Sequence, residues 1–388
     1  MNNENRSLTL EEEVTHLISL QQEGSYWDFK REWYKNKTNL LLDIICMANN
    51  LSNHDGYIII GVDEENDYLI ANVENDSNRR NTQNIVDFLK DKKFAGGIRP
   101  LVHVEQLTLN GVSIDVIVIE NSHNTPFYLT DQFEGVRANN IYTRVMDTNT
   151  PIDKSADINN VEYLWRKRFR LDDTPIEKIK YYLQQPNNWA KSTINTDCVK
   201  YYIFSPEYVI KLEWDRARTG YEFYFFGQMN HEPSWLIITL NYYQTTLDQF
   251  ICASLDGGRC LVVAPSLSRV SFTRIDSWDV SYRYYEENSL EYILTQFLRD
   301  ENDEEYMYAY YKLMKCVLLF DSEIERKQFE EYVRQNESHY RDLYSAQGDT
   351  RLPYFPDIEG YNMDAFKTDY RNALAMQKML EEFRKPCD

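Results

Sequence analysis

Apolar positions recur at helical spacing from the start of the chain. Leu10, Val14, Leu17 and Ile18 fall on one face, and Thr9 with Glu12 three positions on has the form of a capping box, so a helix is expected up to Glu23-Gly24. The period then changes to two over Ser25–Trp33: Tyr26, Asp28, Lys30 and Glu32 share one side, and Trp27, Phe29, Arg31 and Trp33 the other, which predicts a strand with a polar face. A second helix is expected over Thr38–Leu51 and a buried strand over Tyr57–Val62. A third helix is expected over 81–91, followed by a hairpin of Leu101–Leu109 and Val112–Ile119 about Asn110-Gly111. A strand at Asn140–Val145 and a helix at Ile158–Arg170 close this α+β region, and Asp172-Asp173-Thr174-Pro175 reads as a linker.

Past the linker, Thr193–Ser271 is rich in Tyr, Phe, Trp, Ile and Val and predicts antiparallel strands. Helical spacing returns over Leu290–Arg299, Glu304–Leu319, Ser322–Leu343 and Met363–Arg384. Three regions are therefore expected: a mixed-sheet domain over 8–172, a β-rich region over 175–285 and a helical region over 289–388. The apolar stripe Tyr311, Met314, Val317 and Leu318 could face a second copy of the chain or pack within it.

Charge narrows the functional classes. The 388 residues carry 42 Lys+Arg and 62 Asp+Glu, a net charge of −20. Residues 1–172 hold 18 basic and 27 acidic side chains, so the first region has no general attraction for polyphosphate. Contact with nucleic acid then requires a local basic patch or bridging metal ions. Apolar runs such as Trp235–Leu240 are far short of the ~20 residues that a span through lipid needs. Met1–Arg6 lacks the basic-then-apolar form of a signal peptide. Cys46, Cys198, Cys252, Cys260, Cys316 and Cys387 form no Cys-x-x-Cys pair, and reduced thiols in a cytoplasm are expected. No phosphate-binding Gly-x₄-Gly-Lys-Ser/Thr loop is present, so ATP hydrolysis is not expected.

The densest candidate chemistry is Glu23-Gly24-Ser25-Tyr26-Trp27-Asp28-Phe29-Lys30. A helix end supplies one carboxylate, and the strand supplies a second with a lysine on the same face. Asp63 follows at the end of the buried strand. Carboxylates of this kind hold Mg²⁺ or Mn²⁺ for phosphodiester cleavage, and an ammonium supports the developing charge. A solvated strand face gives the same alternation. Geometry sets a condition as well: if the strands carrying Asp28 and Asp63 pair in parallel, the two acids lie apart unless the chain bends. The basic candidates for a phosphate track are Arg79, Arg80, Lys92, Lys93, Arg137 and Arg144.

Glu23…Trp27-Asp28-Phe29-Lys30-Arg31-Glu32, Ala48-Asn49-Asn50, Asp55-Gly56-Tyr57-Ile58-Ile59-Ile60-Gly61-Val62-Asp63 and Ile141-Tyr142-Thr143-Arg144-Val145 with Asp147–Thr150 together resemble the Schlafen-type AlbA-like domain over about residues 8–170. Asp28 stands where the family often has Glu, and Asn53-His54-Asp55-Gly56 replaces a more glycine-rich turn. Some members of that family are metal-dependent endoribonucleases that cut transfer and ribosomal RNA with three acids; others are DNA-binding or transcription-linked proteins. The resemblance implies Glu23, Asp28 and Asp63 as metal-holding acids with Lys30 beside them, Mg²⁺ or Mn²⁺ as cofactor, and RNA ahead of DNA as substrate. The function it implies first is a metal-dependent endonuclease cutting structured, transfer-RNA-like RNA in a bacterial toxin or phage-defence role; a non-catalytic DNA- or RNA-binding regulator and a protein-interaction component stay open as alternatives.

Overall fold

Helix α1 (Leu10–Ser19) starts as its cap dictates: the Thr9 hydroxyl accepts from the Glu12 N–H, and the Glu12 carboxylate accepts from the Thr9 N–H. It stops earlier than expected, because Gln21 turns into the left-handed region at φ 50°. Gly24 therefore serves a different purpose from a helix cap. A Cβ there would lie 2.2 Å from the Trp27 ring, so glycine lets the indole fold back over the turn. The computed structural model describes residues 9–192, 198–272, 279–348 and 352–385, and the chain divides into two compact units, Met1–Asp173 and Thr174–Asp388.

In the first unit, β1 (Trp27–Lys30) leads through α2 (Lys37–Ala48) to β2 (Gly56–Ile60), and the two strands pair in parallel with Asp28 opposite Ile58. Asn36 caps α2 by accepting from the Thr38 N–H at 2.7 Å. After β2 the chain bends at Gly61 (φ 108°), where a Cβ would meet Ala71 O at 2.8 Å. It then runs into the short antiparallel pair β3 (Val62–Asp63) and β4 (Leu69–Ile70). Helix α3 (Thr82–Lys90) follows, then the hairpin β5 (Val102–Leu109) and β6 (Val112–Ile119), whose Asn110 and Gly111 both take positive φ, as a type I′ turn requires. The sheet order is β1-β2-β6-β5.

Alternation along β2 sends Ile58 and Ile60 to one core with Leu40, Leu41, Ile44 and Ile45 of α2, and Tyr57 and Ile59 to another with Val14 and Leu17 of α1. The sheet is thus covered on both faces. The strand expected at Asn140–Val145 is reduced to a small hairpin, β7 (Arg144–Val145) and β8 (Thr148–Asn149), which sets Arg144 directly opposite Asn149. Helix α4 (Ile158–Arg168) ends the unit.

The second unit opens with α5 (Pro175–Leu183) and an antiparallel meander of β9 (Trp189–Lys191), β10 (Cys198–Tyr202), β11 (Ser205–Trp214), β12 (Ser234–Tyr242), β13 (Thr245–Leu255) and β14 (Cys260–Val263). β15 (Ser266–Ser271) and β16 (Asp279–Glu286) lead to α6 (Leu290–Leu298), α7 (Glu304–Met314) and β17 (Val317–Phe320), then α8 (Glu323–Gln335), α9 (Glu337–Ala346) and α10 (Met363–Phe383). Two expected helices are divided. Val317-Leu318-Leu319, placed at the end of a helix by its spacing, belongs with Phe320 to a strand paired in parallel with β16, and the helix over Ser322–Leu343 breaks at Asn336. Residues of 175–285 and 289–388 share a core in which Phe225 and Tyr285 meet Tyr310 and Tyr370. Mixed helices and sheets make the fold class α+β.

Among the described residues no helix is long and apolar enough to cross a membrane. Cys46, Cys252, Cys260 and Cys316 are buried free thiols. Met1–Arg6, the Cys198 side chain and Cys387 lie outside what is described.

Candidate functional site

The acidic motif forms around one guanidinium. Arg144 is 1% exposed, and its Nη2 donates to Glu23 Oε2 at 2.8 Å and to the Trp27 carbonyl at 3.2 Å, while lying 3.3 Å from Asp28 Oδ1. Its Nε donates to the Gly24 carbonyl at 2.7 Å, and its Nη1 to Asn149 Oδ1 at 3.1 Å. Glu23 uses its other oxygen to accept from the Phe29 N–H at 3.1 Å, which ties the segment after α1 to β1. Asp28 is 3% exposed; its Oδ2 lies against Lys30 Nζ in an ion contact but takes no hydrogen bond of good geometry. The period of two along β1 thus brings Asp28 and Lys30 together as expected.

A third acid completes the cluster, and it is Asp43 of α2. Its Oδ2 accepts from the Tyr34 hydroxyl at 2.6 Å and its Oδ1 from Asn149 Nδ2 at 2.8 Å, so it fixes the amide that holds Arg144. The sequence carried a signal for it: Asp43 is the one carboxylate in the apolar run Leu40-Leu41-Leu42-Asp43-Ile44-Ile45. Burial pushes the Asp28 carboxyl up to about 6, with Glu23 adding to the rise and Lys30 and Arg144 opposing it. Burial also raises the Asp43 carboxyl, and the charge of Asp28 acts in the same direction. Burial lowers the Lys30 ammonium, but Asp28, Asp43 and Glu23 outweigh it and hold the group raised.

Asp63 stands apart from this cluster. Parallel pairing of β1 with β2 and the bend at Gly61 carry it to a separate small sheet, where its Oδ2 lies 3.4 Å from Arg31 Nη1. Among the described residues no three of His, Cys, Asp and Glu gather about a point that could hold a metal ion. The expected Glu23–Asp28–Asp63 centre is therefore not assembled, and the space between Glu23 and Asp28 is filled by a guanidinium. The residues present do not fit a three-carboxylate ion site.

The expected phosphate track is also largely committed to internal partners. Arg79 donates to both oxygens of buried Asp115, at 2.8 and 2.6 Å, and Asp115 also accepts from the Trp33 indole at 2.8 Å. Reversing Arg79 to Glu would place two carboxylates together in a buried site and break the fold, so it is no test of phosphate contact. Arg80 is half-buried and donates to the Tyr34 carbonyl at 3.0 Å. Lys92 rests over the Phe88 and Phe133 rings, and Lys93 pairs with Asp131 at 2.8 Å. Arg144 is buried. Arg137 remains on the surface with one nitrogen on the Asp153 carbonyl at 2.7 Å, next to exposed Lys154.

Residues 23–153 match the family model described as Schlafen, AlbA_2, and this part of the chain is a Schlafen/AlbA-like domain. The match supports a nucleic-acid-related function for these residues. No curated protein matches the chain. Among solved structures, the DIP2311 protein from Corynebacterium diphtheriae is similar over 36% of this chain and 25% of that chain, with 19% identity and a TM-score of 0.23. The chain thus spans about a quarter of that protein's length.

Proposed function

We propose that the first unit is a nucleic-acid-binding module, with RNA preferred over DNA, whose acidic motif serves as a neutralised internal tie. The observation that carries this reading is the burial of Arg144 between Glu23 and Asp28, which spends the carboxylates on holding the fold. RNA ahead of DNA follows from the resemblance to family members that act on transfer and ribosomal RNA.

The open groove beside Glu23 is acidic, being lined also by Glu64 and Asp147, and repels phosphate. Binding is therefore assigned to the exposed cations Arg137 and Lys154. The double change Arg137→Glu with Lys154→Glu is expected to weaken RNA binding about tenfold or more near 0.1 M salt and to reduce the salt slope by about 2. Fluorescence anisotropy with labelled RNA across a salt series measures both; unchanged binding at every salt concentration removes this face.

A second reading is Mg²⁺- or Mn²⁺-dependent cleavage of RNA. It is favoured by the meeting of Glu23 and Asp28 on one nitrogen and by the Asp28 oxygen that accepts no hydrogen bond. Incubating the pure chain with transfer RNA, other RNA and DNA, with Mn²⁺ or with chelator, separates the two. Binding without product, indifferent to chelator, is expected. Mn²⁺-dependent product that disappears in Asp28→Asn would install the second reading in its place.

A further inference from the structure

We infer that Arg144 is the resident cation of the acidic motif, occupying the position between Glu23 and Asp28 that a divalent ion would need. The inference concerns the same site as the proposal above but does not depend on nucleic acid being bound. Four oxygens of the kind a hard cation prefers converge here: the carboxylates of Glu23 and Asp28 and the carbonyls of Gly24 and Trp27. All four are engaged by one side chain, at 2.7 to 3.3 Å. The Asn149 amide brings the contacts of the guanidinium to five, three at Nη2 and one each at Nε and Nη1.

The arginine is also held from behind. Asn149 faces it across the β7–β8 pair and is fixed in turn by Asp43, which Tyr34 anchors. Lys30 supplies a second positive charge against Asp28. A divalent ion entering this space would displace a guanidinium with five partners and would sit beside an ammonium, with like charges opposing it at short range. The motif accordingly satisfies its carboxylates with the chain's own cations.

Mn²⁺ titration of the full chain at neutral pH, followed by electron paramagnetic resonance of the free ion, tests this. Wild type and the Glu23→Gln/Asp28→Asn double variant are expected to show the same Mn²⁺ uptake, within error, up to millimolar ion. Stoichiometric uptake by wild type that the double variant loses overturns the inference. Arg144→Met, with its fold checked by circular dichroism, should bind Mn²⁺ about tenfold or more tightly than wild type, and Asp28→Asn in the same chain should remove that gain. A folded Arg144→Met protein that gains no uptake also overturns it. If Arg144→Met does not fold, the comparison of wild type with the double variant decides alone. RNA binding measured in chelator is an independent readout, so loss of RNA binding sinks the proposed function and leaves this inference standing, while wild-type Mn²⁺ uptake at Glu23 and Asp28 does the reverse.

Discussion

Arg144→Met is expected to lower the unfolding free energy by about 3–5 kcal/mol, the range for breaking a buried ion pair by removing one partner. The methionine fills similar volume, so the loss is electrostatic in origin. Glu23 and Asp28 would be left facing each other without their shared cation, and the Gly24 and Trp27 carbonyls would lose their donor. Urea unfolding followed by tryptophan fluorescence reads the effect as a lower midpoint at unchanged slope. Adding Glu23→Gln and Asp28→Asn to Arg144→Met should recover part of the loss, because uncharged amides no longer repel. A triple variant no more stable than the single one would show that the arginine acts by packing alone.

The second large effect is a pH dependence placed at Asp28. Its carboxyl titrates at about 6 in the fold against an ordinary 3.8, chiefly because it is buried. Between those values the folded state holds more protons than the unfolded state, so stability falls as pH rises. The favourable contribution is complete below about pH 3.8 and lost above about pH 6. Asp28→Asn removes this titration. Its stability relative to wild type should therefore climb by about 2.4 kcal/mol between pH 4 and pH 7, most of the full difference of a little over two pH units at 1.36 kcal/mol each. Denaturant unfolding of both proteins at the two pH values measures the difference, in which the titration of all other groups largely cancels. A flat difference would mean that Asp28 ionises freely.

Much of the local architecture was legible in the residue pattern, and the reasons are local ones. Thr9 and Glu12 specify a cap, Asn110-Gly111 specifies a hairpin turn, and a period of two puts Asp28 and Lys30 side by side; each depends on residues a few positions apart. What failed to show was tertiary. Asp63 is separated from Glu23 and Asp28 by the direction of strand pairing and by one glycine with φ 108°, and neither is written in the acid's own neighbourhood. Arg79 and Arg144 look the same in a sequence whether they face phosphate or a buried carboxylate; Asp115 and Glu23 decided the matter from 36 and 121 positions away. The run Val317–Phe320 is apolar throughout, and such a run fits a helix or a buried strand equally until its neighbour, β16, is known.

The pairing of Arg144 with Glu23 joins segments 121 positions apart in the first unit. During synthesis, a chain that has emerged only as far as the β5–β6 hairpin carries Glu23 without Arg144, and Asp28 with Lys30 as its one cation of this cluster. A chain halted before Arg144 therefore leaves Glu23 without its guanidinium and the Gly24 and Trp27 carbonyls without their donor.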